Sequence, residues 1–272
     1  MRRGVLAALA LLGCRAVCAD PAPAPAPAAT GSPWRTLSPG VRWRESLARF
    51  TDERGQLRES VWVVARVDLS RTSLGIIRSP NGRPDGAAAM RDVVLAIDAG
   101  FFEPDHSPSG LVVSGAATLA PLGPRGGSGV LVVRDGRAQL LARESLDGGA
   151  PWAGAALAVQ CGPRLIEPDG RVGIHRDDGH RFARTVACLR DGGRTLDLIA
   201  TWQRDAPLRG PGLYELARAL AAAAPDGAPG CEAALNLDGG PSTGVFARAA
   251  DRRWRYAHDP VGPTPWLLVA RR

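Results

Sequence analysis

The strongest constraint on this chain is a recurring pattern: a short apolar run that ends in an acidic residue followed by glycine. Val93-Val94-Leu95-Ala96-Ile97 empties into Asp98-Ala99-Gly100, and Ala234-Leu235-Asn236-Leu237 empties into Asp238-Gly239-Gly240. Such runs read as short buried strands, and the loops after them are where backbone N–H groups become available. Asn236 and Asp238 are two apart, so an extended strand puts them on one face, opposite Leu235 and Leu237. Glycine at 239 and 240 lets the main chain turn sharply or approach a ligand closely. A strand ending in an ordinary Asx turn would give the same string.

The remaining chain repeats the strand theme. Residues 41–50 and 60–69 read as a hairpin across Asp52-Glu53-Arg54-Gly55, and 74–77, 93–97, 111–113, 130–133 and 155–160 read as further strands. Asp135-Gly136 and Asp191-Gly192-Gly193 are hairpin signals, the second joining a strand from Arg184 to one at 195–201. A short helix is expected at 87–91. The best helix is 212–224, where Leu213, Leu216, Ala217 and Leu220 share one stripe, Glu215 flanks it and Pro225-Asp226-Gly227 stops it. A terminal strand follows at 265–269. The expectation is an α+β chain with a single mixed α/β domain from about residue 34 to the end: a strand-rich sheet, few helices and a loop-lined cleft. Glycine-rich nucleotide-binding signatures are absent from any strand-to-helix setting.

Met1-Arg2-Arg3 and the apolar run at 5–12 read as a signal peptide over residues 1–19, cleaved after Val17-Cys18-Ala19. The alternative exit is Leu11-Leu12-Gly13-Cys14, a lipoprotein pattern that would leave Cys14 lipidated. Residues 20–33 alternate Pro and Ala as a semi-extended tether. No other apolar run is long enough to span a bilayer, so an anchor would have to be the leader or a lipid; the leader itself implies a mature protein in the periplasm or outside the cell. Cleavage before Asp20 removes Arg2, Arg3 and Arg15 from the 34 basic residues, leaving 31 against 27 acidic ones, or +4. Those arginines are scattered among acids, so the concentrated basic surface a nucleic acid needs is missing. Cys161, Cys188 and Cys231 remain, enough for one disulfide and one free thiol, and spacing does not choose the pair.

Several polar residues could carry chemistry. Gln160 and Arg164 flank a tight turn and could direct donors at an anion, for which the Arg fork is suited. Arg184 is a second guanidinium at a strand entrance. His175, Asp177, Asp178 and His180 crowd one polar segment and could hold a divalent metal, although Asp-Asp-Gly is also an ordinary loop.

Taken in order, four segments resemble the phosphodiester glycosidase family, which includes many exported bacterial proteins linked to exopolysaccharide biosynthesis. They are Asp98-Ala99-Gly100-Phe101-Phe102 with Ser107-Pro108-Ser109-Gly110; Gln160-Cys161-Gly162-Pro163-Arg164 with Arg184-Thr185; Leu213-Tyr214-Glu215-Leu216-Ala217; and Asn236-Leu237-Asp238-Gly239-Gly240-Pro241-Ser242-Thr243. The resemblance covers most of 61–269. It implies hydrolysis of the glycosidic bond of a sugar 1-phosphodiester, which needs a carboxyl to move a proton, a carboxylate to stabilise charge on the sugar, and donors for phosphate. On that basis Asp238 is the leading catalytic carboxylate, with Asp98 and Glu215 competing for the second role. Arg164 and Arg184 would bind phosphate, and Asn236, Ser242 and the amides of Gly239 and Gly240 would orient the substrate. Gln160, Thr185, Gly100, Phe102 and Ser109 would complete the lining. Two residues depart from the family pattern: Asp98 stands where Asn is expected, and Cys161 where a small residue is expected. The competing readings are a non-catalytic protein that binds or assembles envelope glycans and a metal-dependent hydrolase of phosphoester or peptidoglycan linkages. The leader itself is testable: mass spectrometry of the exported protein should find Asp20 at the N-terminus, and a lipidated Cys14 would refute that cleavage.

Overall fold

The computed structural model describes residues 30–52, 54–146, 148–222, 230–248 and 254–272. The expected signal peptide, nearly all of the tether and the Pro225-Asp226-Gly227 helix stop lie outside these residues. In chain order the strands are β1 (Thr30–Gly31), β2 (Arg35–Ser38), β3 (Val41–Thr51), β4 (Leu57–Asp68), β5 (Ser73–Arg78) and β6 (Val93–Asp98). They continue as β7 (Val112–Ser114), β8 (Ala117–Ala120), β9 (Gly129–Arg134), β10 (Arg137–Ala142), β11 (Leu157–Cys161) and β12 (Arg164–Ile166). The last six are β13 (Arg184–Arg190), β14 (Thr195–Gln203), β15 (Ala233–Asn236), β16 (Val245–Arg248), β17 (Trp254–His258) and β18 (Trp266–Arg271). The one α-helix among the described residues is α1 (Leu213–Ala221). It ends three residues before 224, where the sequence suggested it would continue. The segment expected to be helical at 87–91 is instead a 3-10 turn at Pro84–Ala89.

These strands form a mixed, strand-rich domain with three antiparallel sheets. The largest has the order β1-β3-β4-β14-β13-β15-β12, with β2 also on β3; the second is β10-β9-β11-β7-β8 and the third β17-β16-β6-β18-β5. The main core lies between them, drawing Val63, Ala65, Ala187, Leu198 and Leu235 from the first sheet, Leu131, Val133, Leu157 and Val159 from the second, and Leu95, Ile97 and Leu268 from the third. β6 is buried along its whole length, which explains its continuous apolar run. On the first sheet the side chains alternate strictly. Ala187 and Leu189 face the inter-sheet core, whereas Val186 and Cys188 face α1, whose Leu216, Ala217 and Leu220 close a smaller core with Ile199 and Ala234.

The hairpin turns behave as their sequences require. Asp135 and Gly136 have φ of 51° and 70°, the left-handed pair of a tight turn that continues the strand twist. Several of the strands missed from sequence, β8, β12 and β16, are short (four residues or fewer). Pieces of that size carry too few residues for period-2 alternation to register and are fixed by the partner they pair with.

Cys188 and Cys231 form the disulfide, with Cα atoms 5.5 Å apart, and Cys161 is the free, buried thiol. The bridge ties β13 to the segment leading into β15 and closes a 43-residue separation. Exchanging both cysteines for Ala should lower stability by about 4 kcal/mol in denaturant titration, from loop-closure entropy.

Candidate functional site

The C-terminal ends of three strands, one from each sheet, converge: β6 delivers Asp98, β11 delivers Cys161 and β15 delivers Asn236 and the turn that follows. Asp98 is wholly buried. Its Oδ1 accepts the Thr185 hydroxyl proton (2.6 Å) and the Gly244 N–H (3.3 Å), and its Oδ2 accepts the Gly239 N–H (2.9 Å). The next residue, Ala99, accepts the Asp238 N–H at 3.0 Å. One acidic residue and its neighbour therefore pin the loop that follows β15 to the end of β6.

That loop is held in a shape glycine alone adopts comfortably. Gly239 has φ 69° and ψ −156°, a region closed to residues with a Cβ, and an added Cβ would stand 3.3 Å from Ala183 O and Thr185 N. Gly240, at φ 55°, donates its N–H to Ala183 O at 2.8 Å, and a Cβ there would meet nothing within 4 Å. The turn thus rests on the start of β13 on one side and faces open space at Gly240. Ser242 donates its hydroxyl to Pro263 O at 2.9 Å.

Asp238 is partly accessible, unlike Asp98. Burial, and then the nearby charge of Asp98, push its carboxyl up to about 7, with the Ser242 hydroxyl partly offsetting them. Desolvation also raises Asp98, to about 6, against the pull of its three donors. Those donors favour the charged form of Asp98, so Asp238 is the member of the pair that holds a proton near neutrality. Cys161 lies close by, and its thiol is raised well above the ordinary range by burial first and by the Asp238 charge second. A thiol held protonated in this way is a poor nucleophile, and Cys161 takes no part in the disulfide.

Asn236 is buried, donating Nδ2–H to Gly162 O (3.0 Å) and Leu237 O (2.6 Å), while its Oδ1 has no partner. A buried acceptor without a donor is costly unless a ligand supplies one. Arg184 is the comparable cation. It is part-buried, its Nε has no partner, and desolvation lowers its guanidinium to about 10, still charged at neutral pH. Its Cα stands 3.4 Å from the position a Cβ would take on Gly239, so its backbone lies directly against the Asp238-Gly239-Gly240 turn.

Other expected site residues are placed elsewhere. Glu215 is in the first turn of α1, where Oε1 accepts the Thr51 N–H at 2.9 Å and Oε2 lies 3.8 Å from Arg181. Helix α1 covers the face of the first sheet opposite Thr185 and Asp98, so the sheet itself separates Glu215 from the buried carboxylate. Arg164 is engaged by Glu144 and Glu167, at 2.5 Å and 2.6 Å, and also donates to Ser128 O. Its fork has no donor pair left for phosphate. Gln160 is buried as a clamp rather than a ligand. Its Oε1 accepts Leu111 N–H (3.2 Å) and Gly123 N–H (2.9 Å), and its Nε2 donates to Gly123 O (2.8 Å) and Gly127 O (2.9 Å). Alternation along β11 turns Gln160 away from the side on which Cys161 lies. Gly100 packs against Val159 and Gln160 O, where a Cβ would come within 2.9 Å and 3.1 Å. Phe102 and Ser109 are part-exposed in the loop after β6, where Ser109 N–H donates to Phe101 O at 2.9 Å.

The cluster considered for a divalent metal does not assemble. Asp177 spends both oxygens on Arg181 (2.9 Å and 2.7 Å), which holds its carboxyl at about 2, and Asp178 accepts the His180 backbone N–H at 2.9 Å. The His180 ring stacks on Phe182 at 5.9 Å. Among the described residues no three His, Cys, Asp or Glu side chains converge as a ligand set.

A sequence profile described as phosphodiester glycosidase matches residues 91–264, more than half of the chain. The fold is similar to the catalytic domain of zebrafish N-acetylglucosamine-1-phosphodiester alpha-N-acetylglucosaminidase auto-inhibited by its pro-peptide, with TM-score 0.64 and 15% identity over 90% of this chain and 87% of that one. It is also similar to a hypothetical protein from Synechocystis (TM-score 0.56, 16% identity, 89% of this chain and 64% of that one). A protein from Burkholderia pseudomallei described as exported gives TM-score 0.55 and 13% identity over 90% of this chain and 97% of that one. No curated protein sequence matches.

The raised carboxyl of Asp238 carries a stability signature. A carboxyl with a folded-state pKa near 7 and an unfolded value near 3.8 destabilises the fold progressively as pH rises between those values, because ionisation is penalised only in the native state. Asp238→Asn should therefore unfold at a higher temperature than wild type at pH 8, by up to roughly 4 kcal/mol in stability, and the difference should vanish at pH 4.

Proposed function

The chain belongs to the phosphodiester glycosidase family, and on that footing we propose that it hydrolyses the glycosidic bond of a sugar 1-phosphodiester in an envelope or extracellular glycan. The observation that carries this reading is a partly accessible carboxyl near neutrality, Asp238, followed by a glycine turn that packs on the backbone of Arg184, a desolvated guanidinium whose Nε has no hydrogen-bond partner. General base catalysis is most efficient when the base titrates near the working pH. A desolvated guanidinium with an unsatisfied Nε suits a ligand that brings its own negative charge.

In the proposed reaction Asp238 takes a proton from water, whose oxygen attacks the anomeric carbon. The bond from that carbon to the phosphate oxygen breaks, and the electron pair leaves with the phosphate as a phosphomonoester. A phosphomonoester ionises for the second time near pH 6, so it departs without a strong acid, and Arg184 would stabilise the charge it gains. Asp98 would act as a positioning residue: it is enclosed, and its three hydrogen bonds shape the Gly239 turn and keep a negative charge behind Asp238. The unpartnered Asn236 Oδ1 would accept a hydrogen bond from a sugar hydroxyl.

Export is part of the same proposal. The leader and the Pro/Ala tether in the sequence support it, and the Cys188–Cys231 disulfide suits an oxidising compartment. No helix of the described residues is long and apolar enough to cross a membrane.

Product analysis with a panel of sugar 1-phosphodiesters tests the reaction: free sugar plus phosphomonoester supports it, and sugar 1-phosphate would mean that the phosphorus–oxygen bond is cut instead. Asp238→Asn should lower kcat by about 10³-fold while the protein stays folded. In wild type, kcat/KM should rise with pH and level off above about 7, the value to which Asp238 is raised; a rate that falls through that range would rule out the base role. Arg184→Ala should lower kcat/KM for the diester by about 100-fold, the equivalent of ~2.7 kcal/mol, and leave a neutral glycoside of the same sugar much less affected.

A further inference from the structure

Ser242 has one hydroxyl proton and two acceptors within its reach. Its Oγ donates to Pro263 O at 2.9 Å, and the same hydroxyl hydrogen-bonds the Asp238 carboxyl. A serine side chain offers a single O–H and two lone pairs, so it can serve both groups at once only when the carboxyl is the one that gives. With Asp238 protonated, the acid O–H meets Ser242 Oγ, and the hydroxyl passes its own hydrogen bond on to Pro263 O. With Asp238 ionised, two acceptors compete for one proton, and the charged one wins. Ser242 is 5% exposed, which leaves water little room to stand in for the hydroxyl. Pro263 lies at the surface, and its carbonyl turns to solvent at small cost when the hydroxyl leaves it.

Both acceptors are held still while the hydroxyl turns. The segment 258–264, which joins β17 to β18, wraps the turn that follows Asp238. Pro241 O accepts the N–H groups of Val261 (3.0 Å) and Gly262 (2.8 Å), and Thr264 Oγ1 donates to Ser242 O at 3.3 Å. Pro260 packs so near Gly244 that an added Cβ there would stand 2.9 Å from Pro260 Cδ. At the head of the segment the buried His258 ring stacks on Trp202 of β14, centroids 4.2 Å apart, and Asp259 pairs with Arg83. Asp98 from β6 bears on Asp238, whose own charge reaches Cys161 from β11. The Thr185 hydroxyl is committed to Asp98, which leaves Ser242 to serve Asp238. We propose that Ser242 is a positioning residue for Asp238: its hydroxyl donates to Pro263 O while Asp238 holds a proton and swings to the carboxylate when that proton leaves. Rotation about Cβ–Oγ moves one hydrogen bond, and no covalent bond of the serine changes. The inference rests on the hydrolase reading above and gives it a further part. A donor aims the ionised base, and once Asp238 has taken the proton of the attacking water, Ser242 Oγ receives the acid O–H.

Carbon-13 NMR on the labelled full chain reads both partners without substrate. The Asp238 Cγ signal, assigned by its loss in Asp238→Asn, should titrate with a midpoint at about 7, and the Pro263 carbonyl carbon should move with the same midpoint. His258, which burial keeps below the ordinary histidine range, titrates apart from them. Ser242→Ala should raise the Asp238 midpoint by about one pH unit, because the ionised form loses its donor, and should flatten the Pro263 response. Ser242→Thr, which keeps a hydroxyl, should restore both. The wild-type comparison needs no variant, so a folding defect in Ser242→Ala leaves the test standing. A Pro263 signal indifferent to the Asp238 titration, a response that persists in Ser242→Ala, or an Asp238 midpoint unmoved by that substitution would each overturn the switch. Failure of the hydrolase reading appears separately, as a diester panel left uncleaved by a protein whose coupled titration is intact.

Discussion

A single enclosed carboxylate holds this site together. Asp98 stands at the end of a strand in one sheet, takes its hydroxyl donor from a strand in another, and takes backbone donors from both ends of the loop after β15. Each oxygen is satisfied, which is the condition under which a charge can be buried at all. Loss of any donor would leave a charge uncompensated in the place where three sheets meet, and so the loop cannot drift without a large penalty. The geometry of Asp238 follows from this: its N–H is fixed on Ala99, the residue next to Asp98.

The same arrangement sets the electrostatics. Its own burial first, and the charge of Asp98 behind it second, raise the outer carboxyl toward neutrality, so that Asp238 can exchange a proton near the pH of its surroundings. Arg184 has its backbone against Gly239, and burial lowers its guanidinium while the charge of Asp178 partly offsets that; nearby, Asp177 is engaged by Arg181. Cys161, placed where its thiol could have been reactive, is instead silenced by the field of the two carboxylates and by burial.

The residues legible in sequence were those whose role follows from local chain chemistry. Asp98, Asp238, Gly239 and Gly240 stand at the ends of apolar strands, and such ends are where loops and free N–H groups occur. Arg164 and Gln160 looked equivalent to Arg184 by the same logic, yet their side chains are consumed by Glu144, Glu167 and the backbone of residues 111–127. Those partners are distant along the chain, and one-dimensional spacing carries no information about them. Glu215 was misleading for a related reason. It flanks the apolar stripe of a helix, but which face of which sheet that helix covers depends on the topology.

The sequence by itself determined the strand-rich class, the hairpin turns at Asp135-Gly136 and Asp191-Gly192-Gly193, the position of the helix and the acidic strand ends, because each depends on side-chain period and on backbone freedom within a few residues. The tertiary structure alone decided that the strands divide among three sheets, that Cys188 pairs with Cys231, and that Arg164 is engaged by two glutamates while the Arg184 Nε is left without a hydrogen-bond partner. It also decided that, of Asp98 and Asp238, the first is sealed and the second accessible. These are outcomes of long-range packing, in which burial and partner choice are set by atoms far apart in the chain, and a carboxylate's charge state follows from them.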